Sequence, residues 1–217
     1  MLIPALLGLT FVTGVVDAVS VLGLGRVFTA NMTGNVVFLG FAAAGVPGLS
    51  IWRAGLALVA FWLGALAGGR IGRPINAETW RVPVASALGV EAALLLLAAA
   101  TARGNGASLE GSYARLYTAI VLTGVAMGVR NAVVRKLAIP DLTTTVLTLT
   151  ITGIAADSSL AGGEAPRWGR RVASVALVFS GGAVGALLLG RSVALALAVA
   201  GLISGICCLA AGVLRRK

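Results

Sequence analysis

Apolar residues run along this chain in long stretches that do not alternate with polar ones. Eight can be marked, over residues 2–24, 28–46, 51–71, 83–102, 114–134, 142–156, 172–190 and 192–214. A helix needs about 20 mostly apolar residues to cross a bilayer, and most of the stretches approach that length. A membrane β-barrel would instead show segments of about ten residues with apolar and polar positions alternating. The pattern therefore predicts an all-α chain, folded as a polytopic integral membrane helical bundle. Two stretches fit less well. The second is polar at its start, through Thr29, Asn31, Thr33 and Asn35, and the sixth is short.

The polar positions also point to an internal repeat. At an offset of 110, Thr13-Gly14-Val15 lies over Thr123-Gly124-Val125, and Asn31-Met32-Thr33-Gly34-Asn35-Val36 lies over Asp141-Leu142-Thr143-Thr144-Thr145-Val146. With a few residues inserted, Phe61 and Gly64-Ala65 then lie over Phe179 and Gly182-Ala183. The chain reads as a first repeat over 1–102, a Gly/Ser/Asn-rich linker over 103–115 and a second repeat over 116–217. Each repeat holds three spans and one short helix, 28–46 in the first and 142–156 in the second. Repeats of this kind are a common building plan of transporters.

Composition changes the picture by removing water as the outer solvent. Hydrophobic residues make up 59% of the chain, charged ones 11%, and the mean hydropathy is +1.01; a soluble domain carries about a quarter charged residues. The net charge of +10 does not imply nucleic acid, because the basic residues gather at junctions between apolar stretches, where they act as topology signals. The chain contains no histidine, which excludes imidazole catalysis and imidazole metal sites. Cys207 and Cys208 are neighbours within an apolar stretch and read as small packing residues. No enzyme activity, cofactor or metal is expected. The first stretch lacks a basic leader, exceeds the usual length of a signal sequence and contains Asp17, so it reads as a mature span.

Charge also bears on topology. If all eight stretches span, the 17 cationic residues split nine against eight, which gives no orientation. If the two short stretches enter and leave by one face, the split becomes twelve against five, which the positive-inside rule favours. Six full spans plus two short or re-entrant half-helices is the preferred reading, with both termini cytoplasmic and the second repeat inverted; eight spans is the alternative.

Candidate chemistry follows from what a helix start requires inside a membrane. Asn31 and Asp141 are good N-cap residues, and free N–H groups at that depth need hydroxyl or amide neighbours or a polar cavity. Thr33, Asn35, Thr143, Thr145 and Thr148 are of the right type, and the first four are expected to face one shared cavity near mid-membrane. Paired discontinuous helices point to a transport site; in the blander reading these side chains only bridge helices. Asp17, Glu91 and Arg130 are ionisable residues inside apparent spans, where they face a cavity or one another. At about 1.5 Å per residue, six spans put Glu91 at the depth of Arg130 and leave Asp17 free to line the cavity, whereas eight spans pair Asp17 with Arg130. Glycines four apart, Gly64/Gly68, Gly124/Gly128, Gly181/Gly185 and Gly201/Gly205, predict close helix packing and could also carry a homodimer.

Several of these runs carry a resemblance. Thr13-Gly14 to Asp17-Ala18, Phe28 through Asn35, and Arg130-Asn131-Ala132 through Pro140-Asp141 to Thr148 are similar to the YoaK-like family of small bacterial membrane proteins. The resemblance implies a bacterial inner (plasma) membrane location, places Asp17, Asn31, Asn35, Arg130, Asn131 and Asp141 within the family's motifs, and assigns no activity. The expected function is a small transporter or channel for a small polar solute or ion, with the bilayer as its other partner. A membrane scaffold or partner subunit is the alternative.

Overall fold

A computed structural model describes residues 2–76, 78–139, 144 and 147–213. The chain forms α1 (Leu2–Gly23), α2 (Met32–Ala43), α3 (Ile51–Ile71), α4 (Arg81–Thr101), α5 (Tyr113–Leu137), α6 (Thr148–Ala156), a short 3-10 turn, α7 (Trp168–Leu189) and α8 (Val193–Val213). No strand occurs among the described residues. Among the described residues six helices are long and apolar enough to cross a membrane; α2, with 12 residues, and α6, with nine, are not. This is the architecture of a multi-pass helical membrane protein.

Helix ends follow local chemistry. The Asn31 side chain caps α2 by accepting from the Gly34 N–H at 3.5 Å, and Ser50 caps α3 through the Arg53 N–H at 3.4 Å. Helix α5 stops at Ala138, which turns into the left-handed region at φ 48°. Both short helices are shorter than their apolar stretches. Helix α6 takes its cap at Leu147, with no side-chain bond; Asp141, the N-cap expected from the sequence, and Thr143 and Thr145 lie outside the described residues.

The long helices pack α1 on α7, α3 on α5 and α4 on α8, with further contacts of α4 on α5 and α1 on α8; α2 lies on α3, and α6 on α7. The glycine pairs make these contacts within the chain. A Cβ on Gly64 would stand 2.2 Å from the Val125 carbonyl, one on Gly128 would stand 2.1 Å from that of Phe61, and one on Gly181 would stand 2.1 Å from that of Phe11. Backbones this close leave no room for any side chain.

The same contacts give helix directions. Gly64 meets Val125 and Gly68 meets Val129, so α3 and α5 run the same way. Gly181 meets Phe11 and Gly185 meets Val15 and Ala18, so α1 and α7 also run the same way. Gly201 meets Leu96, Gly205 meets Ala92 and Cys208 meets Ala85, so α4 and α8 run oppositely. Gly8 meets Cys207 and Gly23 meets Val193, so α1 and α8 are opposed as well. Arg115 bonds the Arg103 carbonyl at one end of the α4–α5 pair, while Trp80 and Lys136 line one recess at the other, so these two are antiparallel. Thus α1, α4 and α7 point one way and α3, α5 and α8 the other. The chain leaves α1 and enters α3 at the same face, and leaves α5 and enters α7 at the face opposite.

At the face where α1 ends, the 103–112 loop is tied down. The Leu109 N–H donates to the Gly23 carbonyl and the Val193 N–H to that of Gly106, both at 3.0 Å, and Arg53 pairs with Glu110 at 3.0 Å.

Candidate functional site

Two apolar clusters fill the core. One, toward the end of α1, includes Val12, Val16, Leu95, Ile120, Met127 and Leu197; the other, toward its start, includes Leu6, Leu9, Leu88, Val133 and Cys207. A polar layer lies at the seam. Glu91 sits on α4 between Leu88 and Leu95, Arg130 on α5 between Met127 and Val133, Ser204 on α8 between Ala200 and Cys207, and Thr13 on α1 beside Val12.

Arg130 and Glu91 are both fully buried and form an ion pair, Nη1 to Oε1, at 3.0 Å. The Ser204 hydroxyl donates to the same Oε1 at 2.9 Å. The rest of the guanidinium reaches the Leu9 carbonyl at 3.2 Å through Nη1, and the Thr13 hydroxyl at 2.7 Å and Met127 Sδ at 3.2 Å through Nη2. Thr13 Oγ1 in turn lies 2.8 Å from the Thr144 carbonyl and 3.0 Å from that of Leu9. One hydrogen-bonded set thus joins α1, α4, α5 and α8 to the segment leading into α6. An unpaired charge in such a place would be expensive, and the fork of an arginine can satisfy several acceptors at once.

The pairing of Glu91 with Arg130 matches the depth arithmetic for six spans. Asp17 has no ion pair among the described residues, although Arg130 is within electrostatic reach and the Ala30 N–H faces its carboxylate. Its Oδ1 is buried without a hydrogen-bond partner.

Two residues outside the helices therefore touch α1, Ala30 at Asp17 and Thr144 at Thr13. Four residues separate these points, about 6 Å along the helix axis. They lie roughly 22 and 16 Å from the start of a helix about 33 Å long, near its middle. Thr144 holds its turn in the left-handed region at φ 62°, and the hydroxyls of Thr29 and Thr144 are both buried without partners.

The other sequence candidates stand elsewhere. Asn35 is buried, but it accepts from the Phe28 N–H at 2.8 Å and donates back to the Phe28 carbonyl, which closes the turn before α2. Thr33, Asn31 and Thr148 are exposed on the surface of the chain. The expectation that Thr33 and Asn35 face the inner cavity is corrected: on a helix that packs along α3, one side chain is spent on its own loop and the other points outward. Asn131 is half-buried and donates to the Met127 carbonyl at 2.8 Å. Sequence reading noted Thr29 and Ala30 at the start of the second stretch without placing either in the site, and did not single out Ser204. Thr13 had a signal in its spacing, one turn before Asp17 on the same face of α1; Ser204, among small residues, had none.

Fold and core together define a polytopic α-helical membrane protein with a buried ionic layer. A family model described as a protein of unknown function (DUF1275) matches residues 5–210, and the chain belongs to that family. It is also 34% identical over 152 residues to the UPF0700 transmembrane protein YoaK of Bacillus subtilis (strain 168), a match covering 70% of this chain. The chain spans 64% of the length of that curated relative. No solved structure matches.

Proposed function

We propose that this chain is a small non-enzymatic transporter or channel for a small polar solute or ion, built from two inverted repeats in a bacterial inner membrane. The observation that carries the reading is that Ala30 and Thr144, both outside the helices, touch one side of α1 near mid-depth. Irregular backbone is tolerated at that depth only where it is buried in protein or lines a cavity, and discontinuous segments paired across inverted repeats characterise transport sites.

Helix directions support six crossings with α2 and α6 re-entrant. Eight alternating crossings would run α4 and α8 the same way, and they run oppositely. The packing pairs support the repeat: exchanging α1–α4 for α5–α8 turns α1·α7 into α5·α3 and α1·α8 into α5·α4, and leaves α4·α8 unchanged. Gly64 on Val125 corresponds to Gly185 on Val15, at the same offset of 110 between α1 and α5. That match places Gly64 opposite Gly185 instead of Gly182, three residues from the sequence alignment. The face where α1 starts carries Arg70, Arg73, Arg81, Arg135, Lys136, Arg167, Arg170 and Arg171, against Arg26, Arg53, Arg103, Arg115 and Arg191 at the other. The positive-inside rule makes the first face cytoplasmic.

The site of the proposed function is Asp17 with the segments around Ala30 and Thr144, while Glu91 and Arg130 hold the helices around it. A second reading, a membrane scaffold or partner subunit, is favoured by the full burial and dense bonding of the Glu91–Arg130 pair. Proteoliposomes screened for uptake of small ions and polar solutes test the choice. Saturable uptake, lost on Asp17→Asn, supports transport; a chain that folds and moves no solute in the screen supports the scaffold.

A further inference from the structure

The polar layer holds two carboxylates, Asp17 and Glu91, and one guanidinium, Arg130. With all three ionised it carries one excess negative charge, and no described residue supplies an ion pair to Asp17. Arg130 is not free to do so, because both its terminal nitrogens are engaged by Glu91, Leu9, Thr13 and Met127. The start of α2 offers the Ala30 N–H, but Asn31 already caps the Gly34 N–H. The atoms left without partners repeat the imbalance. Four are oxygens, Asp17 Oδ1, Thr29 Oγ1, Glu91 Oε2 and Thr144 Oγ1, and one is a donor nitrogen, Arg130 Nε. Thr29 is fully buried and Thr144 is 3% exposed. Buried polar groups without partners call for an explanation. A surplus of hard oxygen ligands and one uncompensated negative charge is what a small cation requires.

We propose that Asp17 binds one small monovalent cation, a proton or an alkali-metal ion, beside the positions where Ala30 and Thr144 touch α1. Asp17 supplies the charge and the Thr29 and Thr144 hydroxyls supply neutral oxygens. Asp17 is half-buried as a residue, whereas Glu91 is fully enclosed. Asp17 meets the Ala30 N–H and the field of Arg130 from α5, and Arg130 is paired with Glu91 from α4; Thr29 precedes Ala30 in the chain, and Thr13, one turn earlier on α1, holds the Thr144 carbonyl. The inference deepens the transport reading by naming the charge of an occupant, yet binding can be measured whether or not anything is transported.

The test uses the full chain purified in detergent. Binding of radioactive sodium and rubidium is measured directly, and the infrared carbonyl band of protonated carboxylic acids is recorded at neutral pH. Saturable alkali-ion binding near one ion per chain, lost in Asp17→Asn and weakened at least about tenfold in Thr29→Val, identifies a metal ion. No alkali-ion binding, with a protonated-acid band that disappears in Asp17→Asn, identifies a proton. Absence of both overturns the proposal, as does a band or a binding isotherm that Asp17→Asn leaves unchanged. Asp17→Glu, which keeps the charge, separates loss of the site from loss of the fold: it must retain binding or the band. Cation binding by a chain that moves no solute would sink the transport reading and leave this inference standing. Solute uptake unchanged in Asp17→Asn and without bound cation would do the reverse.

Discussion

Removing one partner of the Glu91–Arg130 pair should damage the fold far more than removing both. Arg130→Met leaves the Glu91 carboxylate fully buried with Ser204 as its remaining donor, and it also strips donors from the Leu9 carbonyl and the Thr13 hydroxyl. Breaking a buried pair from one side costs about 3–5 kcal/mol. For a chain of this size about 1 kcal/mol moves Tm by roughly 2–4 °C, so a drop of roughly 6–20 °C is expected. Glu91→Leu combined with Arg130→Met replaces the pair by apolar side chains of similar volume, an exchange that is often neutral or stabilising. The double variant should therefore be more stable than Arg130→Met alone, with a coupling of at least about 2 kcal/mol in the cycle. With Cys208→Ala as background the buried Cys207 is the remaining thiol, so a thiol-reactive dye added to the protein in detergent reports unfolding. Stabilities that add to within about 0.5 kcal/mol, as for independent sites, would refute the claim that this pair is one energetic unit.

Three further outcomes are expected. In a chain with Cys207 and Cys208 replaced by alanine, a cysteine at Asn105 should be labelled from outside the cell and one at Lys217 from inside; labelling of both from one side would favour eight spans. Gly128→Ala places a Cβ 2.1 Å from the Phe61 carbonyl and should destabilise by about 1–3 kcal/mol, whereas Gly40→Ala, which meets nothing within 4 Å, should be neutral or slightly stabilising; equal effects in dye-monitored melting would mean that the α3–α5 contact is not tight. Asn35→Leu removes both bonds to the Phe28 peptide and should cost about 1–3 kcal/mol, seen as faster proteolysis in the 24–31 loop; unchanged cleavage would show that the turn before α2 holds without it.

The linear chain was enough to determine that this is a helical membrane protein with six long helices and two short ones, because stretch length and the scarcity of charge act residue by residue. Depth, at a fixed rise per residue, was enough to bring Glu91 rather than Asp17 to Arg130 once the direction of α5 was chosen. What the sequence could not decide was which side of each short helix faces inward. Thr33 and Asn35 have the right chemistry for a site, but α2 packs along α3 and its loop consumes Asn35, so the residue that approaches Asp17 is Ala30, ahead of the helix. Ser204 was equally invisible, since a serine among alanines and glycines acquires a role only when α8 runs against α4 and sets it beside Glu91. Helix direction and rotation are set by contacts between residues far apart in the chain, where Gly64 and Gly128 let backbones touch. Only the tertiary structure could place the polar layer at the seam of two apolar clusters, because that position depends on several helices meeting at one depth.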